Sequence, residues 1–253
     1  MRGRKLFVSA AILATVCGVG FFPAAQAAVI YVDAGAEDGN SGSSWAEAYA
    51  DLQDALSAAG AGDEVWVKAG TYKPHESDRT ASFGLRDGVR LYGGFAGGET
   101  SADERDWEGN VTILSGDIGV PGDKSDNSYH VVTAGGVGGS TVLDGFTVTK
   151  GNAVHTEEEW KGAGGGMHNS GSPVIANCTF KYNVAVYGGG FYNCGGGSPR
   201  VVGCVFRNNT SRGSGGGLAT WSGFPTVENC TFRSNHSFFG GGIFSYDPGK
   251  KGT

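Results

Sequence analysis

Residues 173–183 read PVIANCTFKYN, residues 199–209 read PRVVGCVFRNN, and residues 225–235 read PTVENCTFRSN. Five columns hold one register through these three units, each at an interval of 26 residues. They are Pro173, Pro199 and Pro225; Ile175, Val201 and Val227; Cys178, Cys204 and Cys230; Phe180, Phe206 and Phe232; and Asn183, Asn209 and Asn235. A triple glycine with a following apolar residue alternates with them, at Gly164–Met167, Gly188–Phe191, Gly215–Leu218 and Gly240–Ile243. These runs are spaced by 24, 27 and 25 residues, so the slack lies in loops between fixed columns. A period near 26 that mixes strand and turn signals, with no helical stripe, describes one coil of a solenoid. The fold class expected is all-β: a right-handed parallel β-helix with a short N-terminal capping helix. The hand follows from the strong preference of parallel crossovers.

Parity fills in the coil. Cys178 and Phe180 are two apart and can share an inward face. Ile175 and Cys178 are three apart, so a corner must separate them, at Asn177, Gly203 and Asn229. A second corner is expected at Asn183, Asn209 and Asn235, which gives three short strands per coil. Stacked coils bring like residues to about 4.8 Å, close enough for an asparagine ladder. The three column cysteines are expected to stack as free thiols, with Cys194 in a turn. Further back, Val142–Ala153 aligns with Val174–Ala185 at an offset of 32, the excess being the charged insertion His155–Lys161. Earlier strand candidates are Glu64–Tyr72, Val89–Phe95, Val111–Ile118 and Tyr129–Thr133. Roughly seven to nine coils, and a rod of roughly 40 Å, are expected.

An open solenoid end exposes core and unpaired strand edge. Ser44 with Glu47 reads as a capping box, and Trp45, Tyr49, Leu52 and Leu56 share one helical face. That helix is expected to cover the first coil. At the other end Lys250-Lys251-Gly252-Thr253 offers no comparable cap. Either the lysines guard the edge or the chain is a fragment of something longer; the fragment is the preferred reading. The expected organisation is a signal peptide at 1–27, an N-terminal strand and capping helix at 28–62, irregular coils at 63–160, and regular coils at 161–253.

Arg2, Arg4 and Lys5, the apolar run Leu6–Phe22 and the site Ala25-Gln26-Ala27 form the three parts of a secretory signal peptide. The expected location is secreted or cell-surface, and nothing after Ala27 is apolar enough to span a bilayer. A formal charge of −6 without a large basic block argues against nucleic acid as the main partner. Glycine reaches 47 of 253 residues without a G-X-Y period and amid many strand formers. That combination means many turns between short strands, neither collagen nor a disordered linker.

The F-x-x-N tetrapeptides at Phe180–Asn183, Phe206–Asn209 and Phe232–Asn235, alternating with G-G-G-Φ, resemble the repeat of the chlamydial polymorphic outer-membrane protein family and related bacterial β-helix proteins. The resemblance covers about residues 164–245. It implies a surface or secreted location and, in the best-known members, a role as an autotransporter passenger and adhesin. The membrane β-barrel of those autotransporters is not among these residues. The stretches Ile30–Asp33, Ala69–Tyr72 and Tyr92–Phe95 resemble the start of many exported bacterial right-handed β-helix proteins. The function expected is a binding or structural surface module whose partner is a polysaccharide or cell-surface ligand. The alternative is a polysaccharide lyase or hydrolase, or a carbohydrate-binding module, of the pectin-lyase-like fold.

An enzyme of that kind needs carboxylates on one face of neighbouring coils, to hold Ca²⁺ beside a base or to flank a glycosidic bond. Between Gly162 and Tyr246 the only acid is Glu228. The N-T-D and D-D signatures of polygalacturonases and the R-x-P-x-x-R signature of pectate lyases are absent. Any site is therefore expected earlier, near residues 117–160. Asp117, Asp123 and Asp126, with Lys124, Asn127 and His130, could gather a calcium ion, though a turn whose Asp and Asn bond their own backbone is the preferred account. No other cofactor is implied. Asp144 takes the corner position of Ala176 and reads as structural; Asp33, Asp38 and Asn40 form another acidic loop. His155, Glu157, Glu158, Glu159 and Trp160 make the inserted loop a ligand-contact candidate. Tyr192, Trp221, Phe238 and Phe239 read as wall-covering aromatics that could also stack on sugars.

Overall fold

Parallel strands joined by short bends must rise by one strand spacing per turn, and the chain does so. A computed structural model describes residues 27–154 and 162–249. Its strands form three long walls and one short wall, every pairing parallel. The first wall stacks Val29–Val32, Glu64–Lys68, Arg90–Phe95, Val142–Asp144, Val174–Ala176, Arg200–Val202 and Thr226–Glu228. The second runs from Gly70–Tyr72 through Thr112–Ser115, Phe146–Thr149, Thr179–Lys181 and Val205–Arg207 to Thr231–Arg233. The third runs from Phe83–Gly84 through Val132–Ala134, Met167–Asn169, Phe191–Asn193 and Leu218–Trp221 to Ile243–Tyr246. The described residues thus make six full coils behind one leading strand. The first wall spans six steps, about 29 Å at the strand spacing. The expected seven to nine coils are too many because Val111–Ile118 and Tyr129–Thr133 belong to one coil, with long excursions between its strands.

The columns read from sequence are the core. Phe180 stacks on Phe206 at 4.9 Å between ring centroids, and Phe206 on Phe232 at 4.7 Å, with rings within 5° of parallel. Phe180 and Phe206 are fully buried, as are Ile175, Val201 and Cys204. The offset of 32 is exact in the register: Val142 pairs with Val174, Thr147 with Thr179, and Ala153 with Ala185. All four described cysteines are free thiols. The last described coil leaves Val227, Cys230 and Phe232 only partly covered.

The asparagine ladder forms. Asn183 Nδ2 donates to Asn209 Oδ1 at 3.1 Å, and Asn209 Nδ2 to Asn235 Oδ1 at 3.0 Å. Each amide also donates to the carbonyl of the stacked phenylalanine one coil back, Asn209 to Phe180 O and Asn235 to Phe206 O, both at 2.9 Å. The corner itself falls one residue earlier than expected. Positive φ occurs at Lys150, Tyr182, Asn208 and Ser234, near 50–65°. An asparagine that serves the ladder must point inward, so the preceding residue takes the left-handed turn and points out. The first corner is as expected, with positive φ at Asn177, Gly203 and Asn229. A second, shorter ladder joins Asn169, Asn193 and Thr220 on the third wall.

Two further expectations change. Coils three to five carry a fourth short wall, Asn152–Ala153, Val184–Tyr187 and Thr210–Ser214, where three strands per coil were expected. The triple glycines join it to the third wall. At Gly188 φ is +59°; a Cβ on Gly189 would collide with Thr210 O of the next coil, and one on Gly190 with Gly217 O. The N-terminal helix is also divided. Ser44 Oγ accepts from Glu47 N and starts only a 3-10 turn, Trp45–Glu47. Tyr49 then pairs with Tyr31 and Asp33 as strand, and this pairing bars a continuous helix. A separate helix, Leu52–Ala58, starts at Asp51, whose carboxylate accepts from Gln53 N. It buries Leu52, Ala55 and Leu56 against the first coil, which is the expected cover.

Asn209→Ala removes one ladder rung and takes from the buried Asn183 N–H the carboxamide oxygen that accepts from it. A loss of about 1–3 kcal/mol is expected in urea unfolding. Asn208→Gly, at the half-buried left-handed neighbour, should change stability by no more than about 0.5 kcal/mol. Thiol titration in denaturant without reductant should find Cys178, Cys194, Cys204 and Cys230 all reactive; blocked thiols would contradict this packing.

Candidate functional site

The left-handed corner that ends the second wall turns its side chains outward in successive coils: Lys150, Tyr182 and Asn208. Just beyond it the fourth wall alternates. Ala153, Ala185 and Ser211 are buried inward, while Asn152, Val184 and Thr210 face out, in register with one another. These two outward columns form the floor of a groove of about 400 Å³. Its far side is the segment after strand Thr112–Ser115, which contributes Asp117, Gly122, Lys124 and Asn127.

Hydrogen bonds fix that segment to the coils. Asn127 Nδ2 donates to Lys150 O and Asn152 Nδ2 to Lys124 O, each at 2.6 Å. Arg79 ties both from behind: its Nε donates to Asn127 O at 2.7 Å, its Nη2 to Asn152 O at 3.2 Å, and its guanidinium lies 4.3 Å from the Tyr129 ring. Gly119 N donates to Glu76 O at 2.6 Å, so the loop carrying Arg79 braces the segment at two points.

Asp117 pairs with the Lys150 ammonium and accepts from Gly122 N at 2.9 Å. Burial raises its pKa, but Lys150, the Gly122 amide and more distant Lys73 outweigh this and hold it below the usual carboxylate value. It is the one carboxylate lining the groove among the described residues. Asp123 and Asp126 do not join it. Asp123 accepts from Ser125 N and Oγ at 2.8 and 2.7 Å, which lowers its pKa. Asp126 accepts from Val120 N at 2.7 Å. Each closes its own turn, and among the described residues no three His, Cys, Asp or Glu side chains converge where a metal could sit.

The remaining candidates are dispersed. His130 is buried with Nδ1 3.0 Å from Gly164 O. Asp144 pairs with Arg105 at 2.8 Å and accepts from Asn177 Nδ2 at 2.9 Å, the structural part expected of it. Asp33 pairs with Lys68, Asn40 donates to Ala48 O, and Asp38 is exposed on the same loop. Tyr192 and Trp221 stand on the third wall, whereas Phe238 and Phe239 are exposed on the last coil. His155, Glu157, Glu158, Glu159 and Trp160 lie outside the described residues. Sequence reasoning missed Lys150, Asn152, Tyr182, Asn208 and Thr210. The signal was present: Tyr182 and Asn208 are the third residues of F-x-x-N, the position the inward asparagine pushes outward.

Comparison with known proteins agrees with this architecture. Residues 124–251 match the family described as right handed beta helix region. The chain belongs to that family. The right-handed β-helix is seen again in the crystal structure of pectate lyase Pel9A, with a TM-score of 0.54 over 82% of this chain and 16% identity. Likeness at that identity is of fold. The present β-helix covers 46% of that chain, less than half its length. No curated protein matches the sequence. Among the described residues no helix is long and apolar enough to cross a membrane.

Because its folded pKa is depressed, Asp117 contributes stability that is present above the unfolded carboxylate pKa. That contribution is lost as pH falls through the lower folded value. Asp117→Asn should therefore lower Tm at neutral pH and flatten the decline of Tm between about pH 5 and 2. Calorimetry across that range checks it; an unchanged acid limb would show that the pair contributes nothing.

Proposed function

We propose that this chain is an exported β-helix module that binds a polysaccharide in the groove between the second and fourth walls, without cutting it. The observation that carries the proposal is the make-up of that groove. An exposed aromatic ring, Tyr182, stands one coil step from the half-buried carboxamide of Asn208 and the hydroxyl of Thr210. Sugar rings offer apolar faces to an aromatic and hydroxyls to amides, and a linear chain needs such partners repeated along a line. The open, elongated shape follows from the solenoid itself.

Its polar chemistry favours holding over cleaving. Hydrolysis needs two carboxylates across the bond, and Asp117 stands alone in the groove among the described residues. Export is read from the basic start, apolar run and A-x-A site of residues 1–27. The likeness of the F-x-x-N and G-G-G-Φ repeats to polymorphic outer-membrane proteins supports a place at the cell surface or outside the cell. The neighbour's title, pectate lyase, supports a polysaccharide as the class of ligand.

Affinity electrophoresis through gels cast with soluble plant and bacterial polysaccharides tests this. At least one polymer should retard the protein. Tyr182→Asn keeps a residue tolerant of left-handed φ while removing the ring, and should weaken binding about five- to tenfold. No retardation by any polymer would overturn the proposal. So would release of unsaturated oligosaccharides, which would make the protein a lyase.

A further inference from the structure

Ala28 leads into the first strand of the first wall, Val29–Val32, and is gripped on both sides. Its carbonyl accepts from Glu64 N at 2.8 Å. Its nitrogen donates to Asp63 Oδ1 at 2.8 Å. Asp63 is set for this by its own turn: Asp63 N donates to Gly60 O at 3.0 Å, and Asp63 Oδ2 accepts from Gly60 N at 2.8 Å. One carboxylate oxygen closes the turn and the other meets Ala28. Ala27 and Ala28 are both exposed. The strand they lead into has a full strand partner on one side only, Glu64–Lys68, so fraying at this end starts from it.

Ala28 is also the residue that follows the A-x-A site Ala25-Gln26-Ala27. While residues 1–27 remain attached, its nitrogen is a neutral amide. Hydrolysis by a leader peptidase breaks the Ala27–Ala28 C–N bond. The hydroxyl of water goes to the Ala27 carbonyl carbon and its proton to the Ala28 nitrogen. At neutral pH the new Ala27 carboxyl gives up its proton and the Ala28 amine takes one, so a carboxylate leaves and an ammonium remains. A neutral hydrogen bond to Asp63 thus becomes a charge-assisted one at the same atom, roughly twice as strong.

We propose that processing after Ala27 installs an ion pair between the new Ala28 α-ammonium and Asp63, which pins the first strand to the turn behind the capping helix. This rests on the export reading above and is independent of any ligand. The position is exacting. Successive strand residues stand about 3.3 Å apart and alternate in direction, so a cut one residue away would carry the charge off the carboxylate. The other charges at this end are engaged elsewhere: Glu64 pairs with Arg90 at 3.2 Å, Arg86 donates to Leu56 O and Ser57 O, and Asp87 accepts from Gly138 N. Facing a carboxylate, the ammonium has a pKa raised above the usual value of about 7.7–8.0. Its stabilisation is therefore full below that value and is lost as pH climbs through the higher folded one.

Protein recovered from the medium of a secreting bacterial host tests this. N-terminal sequencing should read Ala28-Val29-Ile30. Selective acetylation of the α-amine then keeps the Ala28 N–H and removes its charge, and it needs no variant. At pH 6 and low salt, acetylation should lower Tm by about 1–3 °C, and the difference should shrink as pH rises from about 8 to 10. In Asp63→Asn, acetylation should leave Tm unchanged, because the partner charge is gone. A start other than Ala28 would overturn the proposal. So would equal Tm for acetylated and free wild type, or the same loss on acetylation in Asp63→Asn as in wild type. Either of these last two, with a start at Ala28, removes the ion pair and leaves the export reading standing. A chain that keeps residues 1–27, or that stays inside the host, overturns both.

Discussion

Every coil of this molecule takes its backbone hydrogen bonds from the coil above and the coil below. Most of the rest follows from that constraint. A parallel ladder has no freedom to slip by one residue, because a slip would exchange the inner and outer faces. Each position in a coil therefore sees its counterpart in the next at one strand spacing. Inward positions must be residues that tolerate stacking on their own kind. Phenylalanine does so face to face, as Phe180, Phe206 and Phe232 show, and asparagine does so by donating an amide to the next carboxamide. The asparagines also resolve the weakness of the corner, where the Asn183 and Asn209 N–H groups donate to the carboxamide oxygen one coil on.

Outward positions obey the same register without the same benefit. The repeat that stacks phenylalanine inside copies Lys181, Arg207 and Arg233 outside. It also places Lys150, Tyr182, Asn208 and Ser234 at one corner, all in left-handed backbone. A scaffold thus generates linear strips of side chains as a by-product, and linear strips suit linear polymers. What turns a strip into a groove is a departure from the repeat. Residues 116–128 leave the coil, return through Asn127, and stand beside the fourth wall as a bank. Arg79 from the preceding coil keeps the bank in place.

This division explains what could be read from the sequence. The rear coils were legible to the residue, because five columns at one interval define register, burial and the first corner together. The second corner was misplaced by one residue. Only the hydrogen-bonding duty of Asn183 and Asn209, which forces them inward, tells that Tyr182 and Asn208 take the turn. The fourth wall was hidden because Ala153, Ala185 and Ser211 are small and show no apolar stripe. In the front half, spacing is set by excursions of unequal length, so strands were found but their grouping into coils was not. The division of the N-terminal helix had the same origin: Ser44 starts a helical turn, but the pairing of Tyr49 with Tyr31 is a tertiary contact that no local signal carries.

The candidate site was legible only in part, for a related reason. Asp117, Asp123 and Asp126 draw attention as neighbouring acids, yet short Asp-rich loops satisfy their own amides before they serve a ligand, as Asp123 does with Ser125 and Asp126 with Val120. Asp117 differs because its partner comes from elsewhere: Lys150 is 33 residues away in sequence. The residues that make a surface of it are a tyrosine, an asparagine and a threonine, ordinary in type and distinguished by column alone. In a solenoid the meaningful neighbour of a residue is the one a coil away. A binding strip is therefore found by reading down the outward columns and asking which carries an unexplained cost. Lys181, Arg207 and Arg233, stacked without a carboxylate partner among the described residues, are such a cost, and they border the strip of amide and aromatic ring that the groove presents.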